Sequence, residues 1–281
     1  MMSKYQSFKP TAHSLRSDSP LTNAEISAVA PSILASSAHS GRSDRYSCIP
    51  TINVLDALRK EGFQPFMVCQ SKPRDDDRMG FARHMVRLRH ASQVTQQEAN
   101  EIILINSHDG SSSYQMLAGV FRFVCQNGMV AGDIVEDLRI RHTGNVVDNV
   151  IEGSYRILED FAKVDESRND MKALILSEQE QMAFARSAIA LKYDKPTEAP
   201  IQPHQLLRVK RNSDSGDDLW STFNRVQEHL LRGGVAGRTT KNTRTTTRPV
   251  NGISENVKLN RALWTLSDAM RSLKEEMRDA A

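Results

Sequence analysis

Two apolar runs rich in β-forming residues, 101–105 and 116–125, flank the polar stretch 106–113. Isoleucine, valine and phenylalanine favour extended backbone, and the glycine and serines between the runs are typical of a turn. The pattern predicts two strands joined by a tight polar connection. We expect the rest of the chain to be organised around this hairpin.

Apolar and polar residues alternate over 81–90, which is the two-residue period of a half-buried strand. A shorter alternation at 138–142 predicts a second strand of the same kind. The outward-facing positions of these two strands carry arginines, namely Arg83, Arg87, Arg89, Arg139 and Arg141. Arginines that share a sheet face repel one another unless an anion or carboxylates lie nearby. Either a polyanionic partner or ordinary pairing with surface acids would meet that need.

The apolar period lengthens to about 3.6 residues from Asn145 onward, which predicts amphipathic helices. Capping-box spacings at Thr22 and Ser177 mark the starts of two helices. Together with glycine and proline signals, these patterns predict helices at 22–30, 51–60, about five turns from 145, 177–193, 217–232 and 255–279. The run 63–71 predicts a further strand, and Pro65 suggests that this strand begins at a sheet edge.

These elements define an α+β fold, with an N-terminal antiparallel sheet and flanking helices followed by a mainly helical C-terminal half. The predicted organisation has three parts. Residues 1–47 form a polar arm with one short helix, 48–145 form the α+β sheet domain, and 146–281 form a helical region with a basic loop at 232–248. Both tryptophans fall in the helical half, where we expect them to anchor the core.

The chain has 281 residues, of which 39% are hydrophobic and 25% charged, a balance typical of a soluble globular protein. No apolar run approaches the roughly 20 residues that span a bilayer, and the N-terminus lacks the apolar segment of a signal peptide. We therefore expect a cytoplasmic protein without a membrane partner. Three scattered cysteines, Cys48, Cys69 and Cys125, fit neither a disulfide framework nor a zinc site and are expected to be buried thiols.

The net charge of +3 says little by itself, but its distribution is uneven. No acidic residue occurs between Glu228 and Glu255. That gap contains five cations, namely Arg232, Arg238, Lys241, Arg244 and Arg248. Cations in a flexible tract can follow a phosphate backbone, which makes nucleic acid a candidate partner, and a solvated linker with ordinary surface charge is the alternative.

The dipeptide His108-Asp109 stands in the central turn. Because glycine and three serines follow it, the simplest interpretation is a structural turn in which Asp109 accepts backbone hydrogen bonds. A phosphate or ligand contact is a second interpretation, and a hydrolase or nuclease that also uses His142 is a third. A thiol–imidazole pair of Cys125 with one of these histidines is a further catalytic candidate. The sequence has no GxxxxGK(S/T), GxGxxG, HExxH, GxSxG or CxxC motif, so no cofactor or metal is expected, and a non-enzymatic role is favoured.

Four motifs occur together in order: NSHDGSSSYQ at 106–115, RFVCQNG at 122–128, RHTGN at 141–145 and DLWSTFNRVQEHLLRGG at 218–234. They resemble the family named domain of unknown function 932, in its branch from enterobacterial prophages and genomic islands. Gly128 departs from many phage and plasmid members, in which a threonine is expected. The resemblance implies a mobile genetic element, a prophage or plasmid, and supplies no mechanism.

Three functions follow as hypotheses. The first is a non-enzymatic accessory protein that associates with DNA or another nucleic acid through the basic sheet face and the basic loop. The order of helix and hairpins over 51–125 would also suit a single-strand-annealing type of fold. The second is a protein-interaction module that acts on a host defence or replication factor, or on a phage protein. The third is the hydrolase or nuclease centred on His108 and Asp109.

Overall fold

The computed structural model describes residues 12–41, 50–73, 75–90, 92, 98–123, 127–131, 138–140 and 146–279. These residues fall into two compact units. The first, called the sheet unit, draws on Met1–Gly128, Val135–Phe161 and Asn251–Ile253. The second, called the helical unit, draws on Met129–Ile134, Ala162–Val250 and Ser254–Ala281. The domain boundaries predicted after residues 47 and 145 stay a prediction.

The main sheet has seven strands within the described ranges. They are β1 (Ala12–Arg16), β2 (Phe63–Ser71), β3 (His84–His90), β4 (Glu98–Asn106), β5 (Tyr114–Arg122), β6 (Asn127–Val130) and β7 (Leu138–Ile140). Antiparallel pairing joins β1 through β5 in sequence order, and β7 pairs antiparallel with the start of β5. β6 follows β5 in the sheet. The predicted α+β fold with an N-terminal antiparallel sheet is confirmed.

The central hairpin is formed by β4 and β5, whose register runs from Glu98 opposite Arg122 to Ile105 opposite Gln115. The strand predicted at 63–71 is confirmed as β2, which lies between β1 and β3 and begins at a sheet edge, as Pro65 indicated. β1 pairs with β2 only as far as Met67. Pro65 therefore lies beyond the pairing with β1, where its missing N–H costs no hydrogen bond to that strand.

The sheet curls strongly across its width. Neighbouring strands lie about 4.8 Å apart, so β1 and β5 would be roughly 19 Å apart in a flat sheet. Yet the guanidinium carbon of Arg16 on β1 lies 4.9 Å from the ring centre of Phe121 on β5. The curl encloses the face that carries these two side chains.

Helices cover the opposite face of the sheet. They are α1 (Asn23–Val29), a 3-10 turn at Pro31–Leu34 and α2 (Thr51–Lys60). α1 begins with the predicted capping box, in which Thr22 and Glu25 satisfy each other's backbone N–H groups. α2 buries Val54, Leu55 and Leu58, whose spacing puts them on one helix face. This packing brings the N-terminus of α2 close to the ends of β3, β4 and β5.

Most of the remaining chain is helical. Its helices are α3 (Val146–Ala173), α4 (Glu178–Lys192), α5 (Pro203–Leu206), α6 (Leu219–Arg232) and α7 (Ile253–Asp279). α3 is longer than the five turns predicted, since it has 28 residues. In the helical unit Trp220 stacks on Phe223 with ring centres 5.6 Å apart, and Trp264 meets both rings edge-on. The prediction that the tryptophans anchor the core is confirmed.

Two short strands differ from the sequence prediction. β1 lies in the segment predicted to be a polar arm with one short helix, because its backbone pairs with β2. The tract predicted to be a flexible basic loop contains the hairpin β8 (Ala236–Arg238) and β9 (Arg244–Thr246). No helix in the described residues combines the length and apolar character needed to cross a membrane.

Candidate functional site

A cluster of polar side chains lies buried between α2 and the ends of three strands in the sheet unit. We call it the Thr51 cluster. Its members are 0% exposed, namely Ser32, Thr51, Gln70, His84, Asn106, His108 and Tyr114. Buried polar groups are costly without hydrogen-bond partners, so such a concentration needs a structural or chemical reason.

The hydroxyl of Thr51 is the centre of the cluster. Its Oγ1 lies 2.8 Å from Nε2 of His84, accepts from Nδ2 of Asn106 at 3.0 Å and lies 3.2 Å from the Tyr114 hydroxyl. Nε2 of His108 is 3.4 Å away from the same oxygen. Residues from α2, β3, β4 and β5 therefore meet at a single hydroxyl group, which ties the helix to the sheet.

The geometry also sets the protonation state of His84. Its Nδ1 lies 2.8 Å from the Ser32 hydroxyl and 3.1 Å from the carbonyl of Ala82. Because the carbonyl can only accept, the tautomer with the hydrogen on Nδ1 fits this arrangement, and Nε2 then accepts a hydrogen bond from the Thr51 hydroxyl at 2.8 Å. Burial, with the nearby His108 as a second cause, lowers the pKa of His84 to about 3 and keeps the imidazole neutral.

A hydroxyl that donates to a neutral imidazole is the arrangement of an activated nucleophile and its base. Here, however, both side chains are fully buried. The hydrogen bonds that satisfy Thr51 are also those that hold α2 to the sheet. The arrangement therefore explains stability directly, whereas catalysis would require the cluster to open.

The turn interpretation of His108-Asp109 is confirmed. Oδ1 of Asp109 accepts from the backbone N–H of Ser111 at 2.9 Å, and Gly110 has the positive φ of 75° that the turn requires. Partial burial would raise the pKa of Asp109, but hydrogen bonds, chiefly from Ser111, outweigh it and lower the pKa. His108 points into the Thr51 cluster, while its backbone bonds to Phe81. The two other catalytic candidates, Cys125 and His142, lie outside the described residues.

The basic outer face predicted for β3 is wrong for two of its arginines. Arg87 and Arg89 are 2% and 1% exposed, and both bind the fully buried carboxylate of Glu101. NH1 of Arg87 is 3.1 Å from one carboxylate oxygen, and Nε of Arg89 is 2.8 Å from the other. The reason is the curl of the sheet, which turns this face inward. The glutamate that begins the apolar run 101–105 was the signal that could have revealed the pairing.

Aromatic rings complete the enclosure of Arg89. Its guanidinium carbon lies 4.1 Å from the ring centre of Phe121 and 4.4 Å from that of Phe66. Cation–π contacts of this kind are favourable when the cation is desolvated. The neighbouring arginine, Arg87, lies against Gly128, where a Cβ would overlap its guanidinium. Gly128 thus leaves space for a buried arginine.

The other predicted sheet arginines have different surroundings. Arg83 is half-exposed, and its guanidinium donates to the carbonyl of Ser111 in the central turn. Arg139 on β7 is exposed. Arg141 lies outside the described residues. The described arginines of the sheet unit therefore do not form the continuous basic face that the alternation predicted.

The basic tract of the helical unit is exposed and ordered. β8 and β9 pair from Ala236 opposite Thr246 to Arg238 opposite Arg244, and the tip closes with Asn242 at a φ of 60°. The exposed cations of the hairpin are Arg238, Lys241 and Arg244. Within the described residues, none of these three is ion-paired to a carboxylate. Arg232 and Arg248, at the two ends of the tract, are also exposed, and Arg232 lies 3.7 Å from Glu228.

A groove of about 700 Å³ lies between this hairpin and the segment around α5. Its polar lining includes Gln202, His204, Gln205, Arg238, Arg244 and Thr246. Across the described residues, no group of three or more histidine, cysteine, aspartate or glutamate side chains could hold a metal ion. At this hairpin, exposed positive charge lies beside a groove.

The fold and these sites define an α+β protein with a curled sheet, a buried ionic interior and an exposed basic hairpin. The chain belongs to the family described as "Domain of unknown function (DUF932)", whose model matches residues 38–264. It is similar to two proteins of Escherichia coli (strain K12), UPF0380 protein YafZ and UPF0380 protein YfjQ. Each is 46% identical over 259 residues, which cover 92% of this chain and 94% of the relative. No solved structure matches the chain. The resemblance found in the four motifs is confirmed.

Proposed function

We propose that this protein associates with nucleic acid and contacts phosphate groups through the hairpin β8–β9. The observation that carries the proposal is a set of three exposed cations on the hairpin, none of which pairs with a carboxylate in the described part of the chain, beside a groove of about 700 Å³. Phosphate contacts by lysine and arginine supply most of the affinity of non-specific nucleic-acid binding. Binding should therefore depend on salt and only weakly on sequence.

Hydrogen bonds to the segment around α5 hold the hairpin in place in the unbound protein. The backbone N–H of Arg238 donates to the carbonyl of Pro200 at 2.8 Å, and the amide of Gln205 donates to Ala236 at 2.8 Å. Gly237 allows this approach, because a Cβ there would overlap the backbone of Pro200. Side chains on an ordered scaffold lose less conformational entropy on binding than those of a flexible tract.

The tip holds one of its cations in a defined position. NH1 of Arg238 donates to the carbonyl and to the side-chain oxygen of Asn242, at 2.9 and 3.0 Å. Arg244 lies directly opposite Arg238 in the register, and Lys241 is in the tip. A two-stranded ribbon of this kind can enter the major groove of duplex DNA or follow a single strand.

The mobile-element setting implied by the family resemblance belongs to the same proposal. An accessory protein of a prophage or plasmid that works on DNA would meet a phosphate backbone as its main ligand. The hydrolase alternative lacks comparable support, because His108 belongs to a closed cluster and Asp109 caps a turn. The protein-interaction alternative is favoured by a different feature, the exposed Leu273 and Met277 one turn apart on α7.

The test is a fluorescence-anisotropy titration with labelled single- and double-stranded DNA at low salt. We compare the wild type with the triple variant Arg238→Gln, Lys241→Gln, Arg244→Gln. The matched control is Arg186→Gln, Lys195→Gln, Lys258→Gln, which removes the same charge from exposed positions outside the groove lining.

We expect the hairpin variant to bind roughly 10- to 100-fold more weakly and the control to bind nearly as well as the wild type. Equal losses in both triple variants would mean that only net charge matters. No binding by the wild type at low salt would end the proposal.

A further inference from the structure

A second group of cations surrounds the C-terminal end of α6 and was not recognised as a group from the sequence. We call it the α6-end cluster. Its cations are Arg208, Lys210, Arg211 and Arg232, and its carboxylate is Glu228. All five belong to the helical unit, and none of them lines the groove beside the hairpin.

Glu228 holds two cations of the cluster through ion pairs. It is 4% exposed and accepts from Nε and NH2 of Arg211 at 3.2 and 2.9 Å, the two-pronged geometry that guanidinium groups favour. NH1 of Arg232 lies 3.7 Å from the same carboxylate. Burial would raise the pKa of Glu228, but Arg211, Arg232 and Lys210 outweigh it and lower the pKa.

A hydrogen bond from His229 also holds the backbone at Arg208. Nε2 of His229, which is 5% exposed, lies 2.9 Å from the carbonyl of Arg208. Since a carbonyl can only accept, Nε2 carries the hydrogen and donates it. This bond fixes the segment that presents Arg208 and Lys210 against the last turn of α6.

Within the described residues, two cations of the cluster, Arg211 and Arg232, are seen to pair with Glu228. The carbonyl end of α6 contributes about half a negative charge in addition. Burial is the main cause that lowers the pKa of Lys210; Glu228 acts in the opposite direction, and Arg232 and Arg211 add smaller lowering effects. The side chains of Lys210 and Arg208 have no hydrogen-bond or ion-pair partner among the described residues.

We infer that the α6-end cluster is a binding site for a phosphate group. Glu228 holds Arg211 and Arg232 in position, and Lys210 and Arg208 provide the unused donors. Guanidinium and ammonium groups together match the charge and the oxygens of phosphate, and they are the side chains that proteins use for it. This inference does not depend on the hairpin. The phosphate group that binds belongs either to a nucleic-acid chain or to a small phosphorylated molecule.

The probe is inorganic phosphate, added to the full-length protein at constant ionic strength set with chloride. Binding is followed by calorimetry and by the rise of the thermal midpoint, because a ligand that binds only the folded state stabilises it. The variants Lys210→Gln and Arg208→Gln are tested separately, and Lys195→Gln is the control. We expect each cluster variant to bind phosphate about tenfold more weakly, the loss of one charge-assisted hydrogen bond, and the control to match the wild type.

Competition between inorganic phosphate and a labelled oligonucleotide identifies the source of the bound phosphate. If inorganic phosphate displaces a labelled oligonucleotide from the wild type but not from Lys210→Gln, the cluster receives backbone phosphates. If phosphate binds without displacing it, the cluster serves a small phosphorylated molecule. The hairpin triple variant should keep its response to phosphate, which separates this inference from the proposed function. A wild type that responds equally to phosphate and chloride, or cluster variants that bind phosphate like the wild type, would overturn it.

Discussion

Replacing Glu101 with glutamine is expected to destabilise the sheet unit strongly. This carboxylate neutralises two guanidinium groups that are 2% exposed or less, with contacts of 3.1 and 2.8 Å. The substitution keeps the size of the side chain and removes its charge. Arg89 depends most on this carboxylate. Its Nε makes the contact with Glu101, and its two terminal nitrogens are buried without a hydrogen-bond partner in the described structure.

The size of the effect follows from the burial. Removing one partner of a buried ion pair costs about 3–5 kcal/mol, because the remaining charge stays out of water without compensation. That is a large part of the total of roughly 5–15 kcal/mol that stabilises a typical domain. An exposed ion pair lacks this penalty, so Glu198→Gln, which breaks the exposed pair with Lys195, is the matched control.

The assay is urea unfolding followed by far-ultraviolet circular dichroism. With a slope of about 1–3 kcal/mol per molar urea, the expected loss lowers the midpoint by roughly 1–5 M. Tryptophan fluorescence reports on the helical unit alone, since Trp220 and Trp264 both lie there. The reasoning is refuted if Glu101→Gln unfolds at the same urea concentration as the wild type and Glu198→Gln.

A combined substitution separates charge from packing. Replacing Arg87, Arg89 and Glu101 together with Met, Met and Leu removes the three charges of this group while keeping apolar volume. Such replacements of buried ionic triads have been neutral or stabilising in other proteins. We expect this variant to recover much of the stability that Glu101→Gln loses.

Two further predictions concern the sheet unit. Lowering the pH from about 6.5 towards 3 should reduce the unfolding free energy by about 1.4 kcal/mol per pH unit through His84, because only the unfolded chain takes up its proton in that window. The stability is intact above pH 6.5, and a His84→Gln variant should show a shallower loss in chemical unfolding at several pH values. Gly128→Ala should cost about 1–3 kcal/mol by displacing Arg87, whereas Gly80→Ala, which meets open space, should not alter the urea midpoint by comparable amounts.

The sequence predicted those helices and strands whose signals lie within a few consecutive residues. The hairpin β4–β5 was evident from two apolar runs and a glycine-serine turn, and both capping boxes begin helices as their spacing indicates. β1 was missed because AHSLR has little apolar alternation, and its stability comes from pairing with β2. The hairpin β8–β9 was missed because its turn uses Asn242 without a following glycine.

The sites depend on contacts between distant segments, which sequence periodicity cannot reveal. The alternation of β3 correctly placed Arg87 and Arg89 on one face, but the curl that buries that face arises from the sheet as a whole. The side chains that contact the Thr51 hydroxyl likewise lie 33 to 63 positions from Thr51 in the chain. The basic tract at 232–248, by contrast, was visible in the sequence as a candidate binding site, because its charge is local.

The most direct test of the proposed function is the salt dependence of DNA binding. The logarithm of the association constant is plotted against that of the salt concentration for the wild type and for the hairpin triple variant. Each lost phosphate contact on duplex DNA should reduce the slope by about 0.9, so the variant should be shallower by roughly 2 to 3. Parallel lines for the two proteins would contradict the account, because Arg238, Lys241 and Arg244 would then make no phosphate contacts.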